Sequence, residues 1–183
     1  MRLSLLSVLF VTQAQAADFA DDVKTSMPML LKVLTYDLNF DARGLGDFTV
    51  LVVSDPNQIE KRNTVIEGLK AMPNQKVKTR PLKYAVTEFK DEATLQAELE
   101  RTHASALLVV PGASTASVKH IWEVAQDNQT YALALEAAMV ESGLPVGVQI
   151  TSGKPQIVIN EKAAKSVGAK FESAVLKLAR VIQ

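Results

Sequence analysis

Two similar runs of apolar residues organise the middle of the chain. Residues 49–53 read Thr-Val-Leu-Val-Val and residues 106–110 read Ala-Leu-Leu-Val-Val, without the polar alternation of a half-exposed strand. Such continuous runs are typical of strands buried on both faces of a parallel sheet. Because a helical pattern follows each run, the sequence predicts strand, helix and strand units with right-handed crossovers.

Apolar residues at helical spacing predict a helix early in the chain. Pro28 interrupts the pattern, and two interpretations stay open: a helix capped by Ser26 with Pro28 in its first turn, or a longer, kinked helix. The predicted buried stripe of this helix consists of Val23, Met27, Leu30, Leu31 and Leu34.

The turn after the first buried strand predicts the start of a second helix. Asp55 can cap this helix, Pro56 suits its first position, and Gln58 can complete a capping box. The predicted buried face of the helix consists of Ile59, Ile66 and Leu69.

Further strands and helices alternate along the middle of the chain. Residues 76–82 alternate charged and other residues around Pro81, which predicts an edge strand with one wet face. Residues 91–102 fit a charged surface helix, and residues 130–135 fit a further strand. The helix after the second buried strand has its predicted inward face at Val118, Ile121, Trp122 and Ala125.

The C-terminal part predicts a hairpin and a closing helix. Residues 146–150 and 156–159 are joined by a connection too short for a parallel crossover, so they fit antiparallel neighbours. Asn160 can cap a short helix that ends at Gly168. The apolar stripe of the last helix consists of Phe171, Ala174, Val175, Leu178 and Ile182. We expect a single α/β domain with a mostly parallel sheet, helices on both faces, a C-terminal antiparallel hairpin and a terminal helix.

The N-terminus matches an export signal. Arg2 supplies a positive start, residues 3–11 are apolar apart from two serines, and residues 14–16 (Ala-Gln-Ala) fit a signal-peptidase site. The sequence therefore predicts cleavage after Ala16, with residues 1–16 as signal peptide and residues 17–183 as the mature domain. Since a membrane span needs about 20 apolar residues, we expect a soluble protein in the periplasm.

Composition narrows the choice of partners. The 183-residue chain is 48% hydrophobic and 22% charged and has zero formal net charge at pH 7. Nothing in it suggests the basic stripe with which proteins neutralise nucleic acid. The chain has no cysteine, which excludes disulfides, thiolate metal sites and cysteine nucleophiles.

Polar residues follow both buried strands. In open α/β sheets, ligands bind at the carboxyl ends of the strands where the chain direction switches, and helix N-termini there suit a small carboxylate or phosphate. Asp55, Ser114 and Thr115 can equally be helix caps alone. The glycine patterns of nucleotide-binding loops are missing. The candidate ligand-binding residues are Ser54, Asp55, Asn57, Gly112, Ser114 and Thr115.

No pattern points to catalysis, a metal or a cofactor. His103 and His120 are the only histidines, and we expect neither to have a histidine or carboxylate partner at metal-ligand spacing. Nothing matches a nucleophile elbow. The carboxylates interpreted as one solvated helix face are Asp91, Glu92, Glu98 and Glu100.

Both ends of the mature chain resemble the YfiR family. Residues 155–160 (Pro-Gln-Ile-Val-Ile-Asn), the pairs at 163–164 and 168–169, and residues 171–181 are similar to that family's closing strand, small helix and final helix. Residues 30–37 (Leu-Leu-Lys-Val-Leu-Thr-Tyr-Asp) look like the opening helix of a YfiR-like branch. The chain departs from the family in lacking the cysteines of its best-known member and the Phe-Val-Glu-Trp-Pro type segment of many relatives.

The resemblance implies a periplasmic regulator that binds the periplasmic part of an inner-membrane signalling protein, of the diguanylate cyclase or sensor kinase type. The alternative is a small-molecule solute-binding protein of a transport system, which the polar residues after the buried strands favour. A single domain of about 165 residues counts against it, because the usual clamshell closes two lobes over its ligand. Relatives are often dimeric, and the predicted edge strand leaves a homodimer open.

Overall fold

The computed structural model describes the backbone of residues 6–72 and 75–183, and the side chains of these ranges from Asp18 onward. Residues 1–5 of the predicted signal peptide lie outside the described residues, and cleavage after Ala16 stays a prediction. Within the described ranges, no helix combines the length and apolar character needed to cross a membrane.

One sheet forms the centre of the domain. The described residues contain eight strands: β1 (Phe48–Ser54), β2 (Lys76–Val77), β3 (Arg80–Glu88), β4 (Ala106–Val109), β5 (Tyr131–Ala134), β6 (Val146–Thr151), β7 (Lys154–Asn160) and β8 (Arg180–Ile182). Their spatial order is β2-β3-β1-β4-β5-β6-β7-β8. The neighbours β3–β1, β1–β4, β4–β5, β5–β6 and β7–β8 are parallel. The neighbours β2–β3 and β6–β7 are antiparallel.

Helices cover both faces of the sheet. The described helices are α1 (Leu6–Leu34), α2 (Ile59–Lys70), α3 (Glu92–Thr102), α4 (Thr115–Asp127), α5 (Ala137–Glu141), α6 (Glu161–Ser166) and α7 (Ser173–Leu178), with a short 3-10 helix at Phe40–Arg43. One core joins α1 and α2 to the sheet through residues such as Met27 and Leu69. The other joins α3, α4 and α5 to the opposite face through Leu95, Ile121 and Val140. The predicted α/β architecture is confirmed.

The buried strand β1, the hairpin turn and the cap of α6 each form for a local physical reason. Residues 50–53 of β1 are completely buried, because the strand lies between β3 and β4 and under helices on both faces. The hairpin of β6 and β7 closes through Ser152 and Gly153, both at positive φ, as a two-residue turn requires. Asn160 caps α6 by accepting a hydrogen bond from the Ala163 amide at 3.0 Å.

The first helix follows the longer of the two interpretations. α1 continues through Pro28, and Ser26, predicted as a cap, lies buried inside it. Pro28 cannot donate the helical hydrogen bond to residue 24. The helix persists because its apolar stripe continues on the N-terminal side of the proline: Val23 is 1% exposed and packs directly on Gly68 of α2.

The predicted start of α2 is wrong. The helix begins at Ile59, and Gln58 occupies the cap position without a side-chain hydrogen bond. Asp55 does not cap α2 because its carboxylate accepts the amide hydrogen of Ser114 at 2.8 Å, across the gap to the next strand. Ile59, predicted as buried, is 49% exposed, and Val65 takes its place in the core.

The predicted terminal helix is also wrong in its last part. α7 ends at Leu178, which is 78% exposed, and Arg180–Ile182 forms β8 alongside β7. These residues form a strand instead of continuing the predicted helix, because the strand pairs with the otherwise unpaired edge of β7. Arg180 also forms an ion pair with Glu141 at 2.6 Å.

The predicted edge strand divides into two strands. β2 pairs only with Arg80 and Pro81, at the start of β3. From residue 82 to residue 88, β3 pairs with β1 on one side, and no described strand pairs with its other side. The open edge of the sheet therefore lies later in the chain than predicted.

A buried carboxylate joins distant parts of the chain. Asp37, 3% exposed, follows α1. Its Oδ1 accepts the amide hydrogens of Asn39 at 3.0 Å and Lys170 at 2.7 Å, and its Oδ2 accepts from Arg43 Nε at 3.0 Å and from the Tyr131 hydroxyl. Four donors thus fix one carboxylate between α1, the 3-10 helix, β5 and the connection from α6 to α7.

Hydrogen bonds and a neighbouring charge keep this carboxylate ionised. Burial raises the pKa of Asp37, but the hydrogen bonds from Tyr131, Lys170 and Asn39 and the charge of Arg43 outweigh it, so the pKa lies below its ordinary value. Burial also raises the pKa of the Tyr131 hydroxyl, which therefore keeps its proton and donates. The Arg43 guanidinium stacks 4.2 Å from the centre of the Tyr131 ring.

Gly68→Ala tests the close packing of α1 on α2. A Cβ at residue 68 would lie 2.5 Å from Val23 Cγ1. Although alanine favours helix more than glycine, we expect the overpacking to lower the free energy of unfolding by about 1–3 kcal/mol. Urea denaturation measures the free energy of unfolding. In a double-mutant cycle, adding Val23→Ala to the Gly68→Ala protein should remove most of the destabilisation that Gly68→Ala causes. A Gly68→Ala protein as stable as the parent would contradict the packing.

Asp37→Asn tests the buried carboxylate. We expect the free energy of unfolding to fall by about 3 kcal/mol at pH 7, because Arg43 and Tyr131 stay buried but no longer contact a negatively charged group. Since the folded-state pKa of Asp37 is lowered, its contribution is full above the unfolded pKa of about 3.9 and disappears as the pH falls through the folded value. The difference between the two proteins should therefore shrink below about pH 4.

Asp41→Asn is the matched control for that experiment. The Asp41 side chain is 71% exposed and pairs with Lys78 at the surface, so we expect a change below about 0.5 kcal/mol. Equal stability of the Asp37→Asn and Asp41→Asn proteins at pH 7 would refute the role given to Asp37.

Candidate functional site

The predicted binding residues meet at the carboxyl ends of β1 and β4. These strands are parallel neighbours. After β1 the chain moves to β3 on one side, and after β3 it returns to β4 on the other. Their carboxyl ends are therefore the point at which the chain direction switches, where α/β sheets bind ligands. We call Ser54, Asp55, Gly112 and Ser114 the switch-point rim.

Part of this rim stabilises the N-terminus of α4. The Ser114 Oγ accepts the Ser117 amide hydrogen at 3.1 Å and lies 2.9 Å from the Ser117 hydroxyl. Asp55 Oδ2 accepts the amide hydrogen of Ser114 itself, which places a negative charge at the positive end of the helix dipole. The interpretation of Ser114 as a helix cap is confirmed, and Asp55 supports α4 rather than α2.

Two polar atoms of the rim have no partner among the described residues. Ser54 is completely buried, and neither its Oγ nor Asp55 Oδ1, which is also buried, makes a hydrogen bond within the described part of the chain. Leaving such atoms unpaired costs about 1–3 kcal/mol each. These two acceptors, one of which can also donate, are the chemically unsatisfied part of the rim.

Two further residues, Gln58 at the cap position of α2 and Lys61 within α2, reach the rim without having been predicted there. At Gly112, where φ is +87°, a Cβ would lie 2.9 Å from Lys61 Nζ and 3.0 Å from Gln58 Oε1. Glycine is needed here for the backbone and for the space that these side chains fill. They could not be found beforehand, because the face that α2 turns to the rim depends on its packing.

The remaining predicted residues lie at the margin. Asn57 and Thr115 are exposed, and no hydrogen bond joins either to the switch-point rim. A cavity of about 530 Å³ lies at this edge of the sheet, between α1 and the ends of β5 and β6. That cavity has acidic walls, with Asp22, Glu136 and Glu141 among its lining residues.

The two histidines differ. His103 is the C-cap of α3 and adopts the left-handed conformation. The Nδ1 of His120, on α4, contacts Glu92 of α3 and lies 3.2 Å from Glu123 Oε2. The expectation that neither histidine has a carboxylate partner is therefore wrong. The proximity of Glu123 could be predicted from the sequence, because it follows His120 by three residues on one helix face. The contact with Glu92 could not, because it depends on how α3 packs beside α4.

Trp122 is less buried than predicted. It is half-buried and packs against the margins of both cores. The tryptophan thus bridges the two apolar layers at the edge of α4.

The fold is that of a single α/β domain with a mostly parallel sheet. The sequence profile of the YfiR/HmsC-like family (DUF4154) matches residues 37–180. The chain therefore belongs to this family, and the resemblance noted in the sequence is confirmed. The family is one of periplasmic, non-catalytic regulators.

Two solved structures share the fold. The ABC domain in complex with L-Trp from Streptococcus pneumonia has a TM-score of 0.62 and 15% identity, over 85% of this chain and 61% of that chain. A conserved domain protein from Vibrio cholerae has a TM-score of 0.53 and 15% identity, over 74% of this chain and 54% of that chain. The chain thus spans about three fifths or less of the length of these structures. No curated protein sequence matches it.

Proposed function

We propose that this protein is a periplasmic regulatory binding protein that acts on the periplasmic part of an inner-membrane signalling protein, of the diguanylate cyclase or sensor kinase type. The observation that carries the proposal is the family match over residues 37–180. The signal peptide predicted at residues 1–16 would deliver the chain to the compartment in which such a partner exposes its sensory domain.

The open edge of β3 is the surface that best suits a protein partner. Residues 82–88 pair with β1 on one side only, which leaves about 20 Å of strand edge. Backbone groups of such an edge can pair with a strand of another protein. Tyr84 and Val86, 39% and 36% exposed, add apolar side chains at the same place. Arg62 and Glu88 form an ion pair of 2.8 Å at its far end.

Affinity capture tests this proposal. The tagged mature protein, residues 17–183, is incubated with detergent-solubilised membranes, and the retained proteins are identified by mass spectrometry. We expect an inner-membrane protein with a periplasmic domain and a cytoplasmic signalling output. Replacing both Tyr84 and Val86 by lysine should lower its recovery at least about tenfold, because charge and bulk at a strand edge oppose pairing.

Leu45→Lys is the matched control. Leu45 is 94% exposed in the loop before β1 and is not part of the open stretch of β3 at residues 82–88, so its replacement should leave recovery unchanged. Recovery of no membrane signalling protein by the unaltered chain would reject the regulatory function. Equal recovery by the edge variant would reject the surface and keep the function, and a change from dimer to monomer alone would assign the edge to self-association.

Small-molecule binding at the switch-point rim is the second candidate function. The unpartnered Ser54 Oγ and Asp55 Oδ1 favour it, as does the Lys61 ammonium that stands over Gly112. A carboxylate and an ammonium at the same rim suit a zwitterion such as an amino acid. The similar ABC domain was solved in complex with L-Trp.

Calorimetric titration with single amino acids, L-Trp included, tests the second function. We expect a bound amino acid to bind at least about tenfold more weakly to the Lys61→Ala protein, because its carboxylate loses a charged partner. Lys70→Ala, on the same helix, is the control, since Lys70 pairs with Glu67 at the surface. Absence of heat with every amino acid would count decisively against this function.

A further inference from the structure

Three potential metal ligands converge between α3 and α4. Glu92 lies in the first turn of α3, and His120 and Glu123 lie one turn apart on α4. One ligand atom from each residue lies within 4.8 Å of the other two. His120 Nδ1 is the common point, in contact with Glu92 Oε1 and 3.2 Å from Glu123 Oε2.

The surroundings orient these side chains. The ring of Phe89, just before α3, stacks on the His120 imidazole with the ring centres 6.4 Å apart and the planes at 13°. Each of the three side chains is about half exposed, at 52%, 44% and 43% for Glu92, His120 and Glu123. The imidazole is thus held in place while the ligand atoms stay open to an ion from solvent.

We propose that Glu92, His120 and Glu123 bind a divalent transition-metal ion, with Zn²⁺ as the preferred occupant. Zinc sites often combine three protein ligands from histidine and carboxylate side chains with a water in the fourth position. Bond lengths of 2.0–2.1 Å in a tetrahedron separate neighbouring ligand atoms by about 3.3 Å. The 3.2 Å between Nδ1 and Glu123 Oε2 already matches this spacing.

The donor set decides the class of ion. An imidazole nitrogen favours Zn²⁺, Cu²⁺ or Ni²⁺ over Mg²⁺ and Ca²⁺, which prefer oxygen ligands alone. Lys119 Nζ lies 3.8 Å from Glu123 Oε1 on the solvent side, and Glu123 binds the ion through its other oxygen. The bound ion would tie the start of α3 to α4 and stabilise the folded state.

The two histidines of the chain allow a matched test. ZnCl₂ is titrated calorimetrically into the mature protein made without a histidine tag, and into its His120→Gln and His103→Gln variants. We expect one equivalent of zinc to bind the unaltered protein and the His103→Gln protein equally, and the His120→Gln protein at least about tenfold more weakly. Glu92→Gln and Glu123→Gln should each weaken binding as well, since carboxylate charge holds the ion.

A second readout separates binding from damage to the fold. Circular dichroism should show all variants folded, because the three side chains are half exposed. Zinc should raise the melting temperature of the unaltered and His103→Gln proteins and leave that of His120→Gln unchanged. Equal zinc affinity in the two histidine variants, or no binding to the unaltered protein, would overturn the site and leave a surface ion pair of His120 with its carboxylates.

Discussion

The buried carboxylate of Asp37 is the contact on which the arrangement of the domain depends. Its hydrogen bond with the Lys170 amide accompanies a backbone bridge between Asp37 and Phe171, and the chain goes on from there through α7 to β8. Its hydrogen bond with Tyr131 fixes the start of β5. The end of α1, the start of β5 and the connection from α6 to α7 are therefore held by one charge, which is stable in a buried place only because four donors surround it.

The buried carboxylate of Asp37 and the switch-point rim lie at opposite ends of the parallel strands. Asp37 and Tyr131 lie where β5 begins, whereas the switch-point rim lies where β1 and β4 end. The two sides of the sheet differ as well, because β8 covers the edge of β7 while β2 covers only the first residues of β3. The amino edge of the sheet is thus fixed by buried hydrogen bonds, whereas the carboxyl edge carries the switch-point rim and β3 keeps one open side.

The parts of the fold that the sequence predicted are those decided within a few residues. The apolar run of β1, the cap at Ser114 and the turn of the hairpin depend on neighbours in the chain. The helix through Pro28, the strand at Arg180–Ile182 and the hydrogen bonds of Asp55 depend instead on partners far along it. The same holds for the sites: the rim followed from strand order, whereas Lys61 and the contact of Glu92 with His120 required the packing of whole helices.

Photocrosslinking in intact cells tests the central proposal most directly. A photoreactive phenylalanine analogue in place of Tyr84 would face whatever covers the open edge of β3, and the same analogue in place of Leu45 would serve as reference. Crosslinking from position 84, and not from position 45, to the periplasmic domain of an inner-membrane signalling protein is the predicted result. Crosslinks from position 84 only to a second copy of the chain, or to no protein, would contradict it.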